Sequence, residues 1–341
     1  MSAVTTNATA SAPASGATHS RKRRQLKHLV DRFLGAFEMF RNAKSLIGLG
    51  ILLFFVVIAI FAPVIAPYDP LQKDYAALLQ PPSAKHILGT THMGEDLFSQ
   101  IVWGTRGVLI VGFTVGVIAT IVAIAVGVTA GYLHGWISEA LSALANVFLV
   151  IPALPLLIIV SSQFDNPSIL LISAVLAVTG WAWGARVLRA QTMSLRNRDF
   201  VQAARANGEP LIRIICIEMM PNLMSIIASS FVGTVNAAML NLTTLAFVGV
   251  IPITNLNWGT VLYWAQQNGA FPNYWWWFVP AGLCIALLGM ALSLINFGID
   301  EYVNPRLRSA GERARAMRKK GLKPNAMVTK VKTTALAKSA K

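Results

Sequence analysis

Hydrophobic positions in this chain form long unbroken blocks separated by short polar segments. Uncharged runs lie between Lys44 and Asp69, Arg106 and Glu139, Glu139 and Asp165, and Asp165 and Arg186, and a fifth extends from Met219 to Ile299, 81 residues without one charge. A transmembrane helix takes roughly 20 mostly apolar residues at about 1.5 Å rise each, so the fifth run is too long for a single crossing. Its middle, IPITNLNWGTVLYWAQQNGAFPNYWWW, is rich in Pro, Gly, Asn and Trp and divides it in two. The pattern predicts an all-α integral membrane protein with six spans, near residues 45–66, 107–132, 140–160, 168–188, 222–249 and 278–299.

Composition agrees. The 341 residues are 55% hydrophobic and 13% charged, with a mean hydropathy of +0.57. A soluble core of ordinary proportions does not hide that much apolar surface. The net charge of +15 would suit a nucleic-acid binder, but the positions of the charges exclude nucleic acid as the partner. Of 29 Lys and Arg, 8 precede the first span, 6 lie from Arg186 to Arg213 and 12 follow the sixth span, leaving only Lys73, Lys85 and Arg106 elsewhere. The positive-inside rule then places both termini and the segment 189–221 in the cytoplasm, with 69–103 and 251–277 as external loops, in a cell or inner membrane. The two cysteines, Cys216 and Cys284, have no plausible pairing.

Residues 1–20 are Ala-, Ser- and Thr-rich and predict a disordered tail. Residues 21–44 are basic, with an apolar stripe at helical spacing. That is a helix lying in the lipid interface or packed on neighbouring spans. Residues 309–341 form a basic tail attracted to anionic lipid. In 69–103, His86 and His92 stand near Glu95 and Asp96. Their spacing in a turn-rich loop matches no metal motif, so they read as solvated polar residues. The aromatic cluster Trp258, Tyr263, Trp264, Tyr274, Trp275, Trp276 and Trp277 reads as membrane-interface anchors, with solute stacking as the alternative.

No ionisable residue falls at mid-span, where proton- or sodium-driven carriers usually need one. The polar residues inside the spans are small or amide: Thr114, Thr120, Ser173, Thr179, Ser229, Ser230, Thr234, Asn236, Asn241, Thr243, Thr244 and Asn296. They serve helix packing or line a path. No phosphate-binding loop, zinc-protease pair or nucleophile elbow is present, so no catalytic residue, metal or cofactor is expected. Uphill transport would need energy from another subunit. A channel without ATP and a membrane scaffold are the competing classes.

One stretch resists a purely structural reading: DFVQAARANGEPLIRIICIEMMPN, 199–222. Asp199 is suited to open a helix, Gly208 to end it in a left-handed turn, and Pro210 to begin a second helix over 211–220. Ala203 and Ala204 would give the first helix a flat surface for a groove on another protein. A helix folded against the membrane is the alternative.

Gln202-Ala203-Ala204, three residues, Gly208, nine residues, then Glu218-Met219-Met220-Pro221 resembles the Glu-Ala-Ala loop of permease subunits in bacterial ATP-binding cassette importers. Gln202, Glu218 and Met220 depart from that signature. Leu88-Gly89-Thr90 with Gly94 and Asp96, Asn257-Trp258-Gly259, Trp275-Trp276-Trp277 and Asn304-Pro305-Arg306 resemble the second permease type of the dipeptide and oligopeptide branch. The likeness covers 45–308 and departs in charge at Thr91, Glu95, Asp300 and Glu301. It implies a type I importer permease that forms half of a translocation pore with a second, homologous permease. Two cytoplasmic ATP-binding subunits and an external solute-binding protein would complete the importer. It implies that Val201, Gln202, Ala203, Ala204, Gly208 and Pro221 belong to a coupling helix docked on an ATPase subunit. Di- and oligopeptides are the implied solutes, and the same branch also moves oligosaccharides and nickel.

Overall fold

The computed structural model of the protein describes residues 43–303, apart from 165–166, 253 and 272. The expected tails at 1–20 and 309–341, nearly all of the expected interfacial helix and Asn304-Pro305-Arg306 lie outside the described residues. Among the described residues, five helices are long and apolar enough to cross a membrane. They are α1 (Ala43–Ile60), α3 (Leu97–Tyr132), α6 (Ile169–Leu195), the helix whose longer part is α9 (Met220–Phe247), and α11 (Trp275–Val303). A sixth crossing is made if α4 (Trp136–Val150) and α5 (Ala153–Ser161), bent by 75° at their junction, count as one broken span. Short helices fill the connections: α2 (Ala62–Ile65), α7 (Asp199–Ala206) and α10 (Trp258–Gln267), while α8 (Leu211–Arg213) opens the helix that α9 continues. The described residues contain no strand beyond an isolated bridge between Thr90 and Asp96.

The sequence pattern placed a straight span near 140–160, and the structure breaks it at Ile151. A residue before proline is pushed out of the helical region by the ring. Ile151 sits at φ −67°, ψ 118° ahead of Pro152, and α5 restarts after it. A second proline acts differently. Pro221 has no N–H to donate and its ring crowds the carbonyl four residues back. The backbone widens into a π-helical segment, Ile214–Met219, and runs on as one helix from Leu211 to Phe247. The second loop helix expected to end near Met220 is therefore the first part of a span.

Helix α3 is the centre of the bundle. Its 36 residues extend about 54 Å, well beyond a hydrocarbon core of about 30 Å, and it begins inside the segment read as a loop over 69–103. Buried Gly112 and Gly116 receive Met239, Val235 and Phe231 of α9, and buried Gly127 and Gly131 lie on the backbone of α6 at Ala185 and Arg189. Small residues four apart let helix backbones approach where lipid supplies no hydrophobic drive. A Cβ at Gly127 would run into the Ala185 backbone.

The start of α3 is fixed by a buried polar network, where the sequence suggested solvated residues. Asp96 is the N-cap: its Oδ2 accepts from Ser99 N at 2.8 Å and Ser99 Oγ at 2.7 Å, while Oδ1 lies 3.0 Å from His86 Nδ1. Glu95 Oε2 accepts from Gln100 Nε2 at 2.9 Å and from Thr91 Oγ1 at 3.2 Å. His86, Thr91, Glu95 and Asp96 are all buried.

Two of the expected interface aromatics are core residues instead. Trp258 and Trp277 are each 1% exposed, whereas Trp275 is 55% exposed. Asn257 caps α10 in a capping box with Thr260, which drives Trp258 inward. There its Nε1 donates to Ile101 O at 3.1 Å and its ring meets Phe55 at 5.4 Å between centroids.

His92 stacks between Trp264 and Trp277, with centroids 5.9 and 5.4 Å away. Burial, aided by Lys73, holds its pKa below the usual 6.5. The folded protein therefore binds this proton less readily than the unfolded chain, which takes it up as pH falls through about 6.5, so folding stability is lost on acidification. Burial pushes the Glu95 carboxyl up, an effect of opposite sign. Replacing His92 with Phe isolates the first effect by keeping a flat ring without a titration. In detergent, the fall in thermal midpoint from pH 7.5 to 5.5 should be smaller for His92→Phe than for the unmodified protein. An identical fall would show that His92 does not contribute.

Candidate coupling loop and interhelical cleft

The loop between α6 and α9 is built on the far end of α3. Arg196, just past α6, donates from Nη1 to Gly131 O at 3.1 Å and Leu133 O at 3.3 Å, meeting carbonyls that the helix leaves unpaired at its C-terminus. Arg205 of α7 lies over the Tyr132 ring at 4.6 Å and donates from Nε to Tyr132 Oη at 3.0 Å. Val201, Ala204, Ile214 and Met219 close over Tyr132 as a small apolar cluster. The amphipathic α7 is thus fastened by one face and free on the other.

Gly208 takes a left-handed φ of 72°. Its N–H donates to Arg205 O at 2.9 Å, and Glu209 N–H donates to Ala204 O at 3.2 Å. These two bonds form a Schellman motif, which stops the helix and turns the chain. The N-cap position belongs to Arg198, with Asp199 in the first turn and no side-chain cap.

The residues singled out from the sequence do not share one surface. Val201 and Ala204 point into the chain's own cluster, at 0% and 7% exposure, while Gln202, Ala203 and Gly208 are exposed and Pro221 is half-buried in the span. The flat surface expected from Ala203 and Ala204 together does not exist, because neighbouring residues on a helix point about 100° apart. Ala203 shares the exposed surface with Phe200 and Ala206, and beyond the Gly208 turn Leu211 and Ile212 are also exposed. Phe200 and Ile212 were not singled out. The signal for the inward face was present in the sequence, as an i, i+3 apolar pair, Val201 and Ala204, beside a basic residue able to reach an aromatic ring.

A cleft of about 600 Å³ opens among α3, α5, α6, α9 and α11. Among its polar lining are Thr179, Gln191, Ser225, Ser229, Ser230, Thr234, Asn241 and Asn296, with Asp300 at one end. Of the polar span residues read from sequence as packing or path, six lie here. Ser173, Thr243 and Thr244 instead return their hydroxyls to carbonyls one turn back. Gln191, Ser225 and Asp300 were missed, because Asp300 counted only as a span end.

Comparison with known proteins identifies the family. Residues 123–309 match the family described as binding-protein-dependent transport system inner membrane component, and residues 37–82 match the N-terminal TM domain of oligopeptide transport permease C. The chain is 35% identical over 284 residues to the oligopeptide transport system permease protein OppC of Mycobacterium tuberculosis, covering 82% of this chain and 94% of the relative. It is 31% identical over 281 residues to the dipeptide transport system permease protein DppC of Haemophilus influenzae, covering 80% and 94%. A chain of the MetNI methionine ABC transporter in an inward-facing conformation has a TM-score of 0.48 at 18% identity, covering 61% of this chain and 94% of that one. With its several apolar spans, this chain belongs to the binding-protein-dependent transport system inner membrane components, the multi-pass permease subunits of ATP-binding cassette importers.

Proposed function

We propose that this chain forms half of the translocation pore for di- and oligopeptides, paired with a second, homologous permease. An external binding protein delivers the solute, and two cytoplasmic ATP-binding subunits supply the energy. The peptide assignment rests on the oligopeptide and dipeptide permeases that resemble the chain along most of their length. The observation that carries the mechanism is the loop at 189–221. Its helix α7 is clamped to the end of α3 through Arg205 and Arg196 and offers Ala203 outward. ATP binding would draw the two ATPase subunits together. Each coupling helix would move with its ATPase and carry α3 and α6, so the cleft would change the side to which it opens. The chain itself contributes no ATPase site in this reading.

The loop side is cytoplasmic in this proposal, because 26 of 29 basic residues fall on it. Tyr75 is 73% exposed and Asn207 is exposed, so single cysteines there, in a background lacking Cys216 and Cys284, report the topology. A membrane-impermeant thiol reagent added outside cells should label position 75 and spare 207. Labelling of 207 from outside would reverse the orientation.

Ala203→Trp should leave the thermal midpoint nearly unchanged, yet abolish co-purification of the ATPase subunits and solute uptake, because the bulk falls on the exposed face. Ala204→Trp should act differently. It overfills the cluster with Tyr132, Ile214 and Met219 at a cost of about 1–3 kcal/mol, so a lower midpoint should accompany any loss of uptake. Gly208→Val should weaken docking through backbone strain of roughly 1–2 kcal/mol, and Gln202→Glu should be tolerated. Retention of ATPase and uptake by both Ala203→Trp and Gly208→Val would remove α7 as the coupling helix.

A further inference from the structure

Among the described residues that line the cleft, Asp300 is the ionisable one. It stands four residues after Asn296 on α11, so both side chains share one face. Ser229 of α9 reaches them both: its Oγ lies 2.7 Å from Asn296 Oδ1 and 3.0 Å from Asp300 Oδ1. A hydroxyl has one proton, and here it meets two acceptors, one of them a carboxylate with several lone-pair sites. Turning the Asn296 amide would let its nitrogen donate to Ser229 and pass the Ser229 proton to Asp300. Even then the carboxylate keeps acceptor capacity and its charge. The corner is rich in acceptors and poor in donors, and it opens on a cleft whose other lining is neutral. Asp300 is exposed at the end of this cleft, so a solute can reach its charge directly.

We propose that Ser229, Asn296 and Asp300 form a station for a primary ammonium group carried by the transported solute. The proposal rests on reading the chain as an importer permease and adds a recognition chemistry to its path. An ammonium brings three donors and a positive charge, which matches a carboxylate, an amide oxygen and a hydroxyl lone pair. A free peptide amino terminus, with a pKa of about 7.7–8.0, is mostly in that form at neutral pH. The station lies toward the loop end of α9, since Ser225 and Ser229 fall within its first three turns. It therefore acts on a solute that has already passed most of the cleft.

The competing account is a lock that holds α9 to α11 and contacts no solute. Two measurements test the proposal, and the second separates it from the lock. The first reads the local field without a solute, using Ser225→Cys in a background lacking Cys216 and Cys284. Detergent-solubilised importer is treated with methanethiosulfonates bearing either trimethylammonium or sulfonate groups, and each rate is divided by the rate for a small free thiol. The cationic reagent should be favoured by about fivefold or more with Asp300 or Asp300→Glu, falling towards unity in Asp300→Asn. A ratio unaltered in Asp300→Asn overturns the proposal.

The second reads transport in cells. Asp300→Asn should lower uptake of trialanine about tenfold, the scale of one charge-assisted hydrogen bond, and leave uptake of N-acetyl-trialanine unchanged. Equal losses for both peptides identify a helix lock and overturn the proposal. Should the unmodified importer take up no trialanine, the peptide assignment fails, and the thiol ratios still decide whether the cleft holds a cation station.

Discussion

The close approach of backbones along α3 is the constraint from which the rest of the molecule follows. Lipid tails are as apolar as the side chains of the bundle, so helices inside a membrane associate through packing rather than exclusion from solvent. Gly112 and Gly116 admit α9, and Gly127 and Gly131 admit α6. The two pairs serve different partners at different heights of one 36-residue helix. The cleft exists because α6 and α9, both held by α3, leave space between them where Gly180 and Gly233 contribute no side chain.

A rod that long is useful only if its ends are fixed. At its start, Asp96 caps the helix, and the buried carboxylate is in turn held by His86. At the other end, Arg196 meets the terminal carbonyls and Tyr132 is gripped by Arg205. Both attachments place charge where the helix ends favour it: a carboxylate at the N-terminus and guanidinium groups at the C-terminus. A loop tied this way moves with α3 rather than independently of it. Bundles whose packed interfaces have two discrete arrangements convert such a displacement into a switch, because packed cores do not deform continuously.

The spans were legible because burial in lipid leaves a length signature that local chemistry does not disturb. Their interruptions were harder to read. Pro152 breaks a span, whereas before Pro221 the helix only widens and runs on. Trp258 reads as an interface anchor in isolation. Only the capping box at Asn257 and the space opposite Gly104 turn it inward. Gly208 was readable, since a left-handed turn selects glycine by local sterics alone. The inward turn of Ala204 left only the i, i+3 pairing with Val201 as a signal, because the ring it packs on, Tyr132, lies more than 70 residues earlier. His86 and Asp96 failed for the same reason: ten residues apart in a turn-rich segment, they meet only after the chain folds back.

The chemistry of the cleft limits how the protein can do its work. A carrier that draws on an ion gradient needs a group whose protonation or occupancy changes the stability of one conformation relative to another. Hydroxyls and amides line most of this cleft, and such groups do not titrate near neutral pH. Their hydrogen bonds are also easily exchanged for water, which keeps a solute from settling too deeply at any one point. In the proposed reading the driving force enters elsewhere, from the ATP-binding subunits. Helix α7, exposed on one face, is mechanically joined to the bundle through Arg205 and Tyr132. In the proposed reading, the mostly neutral lining and the tightly clamped loop are two sides of one design. The path is built to release solute, and the work of reorienting it is done at the end of α3.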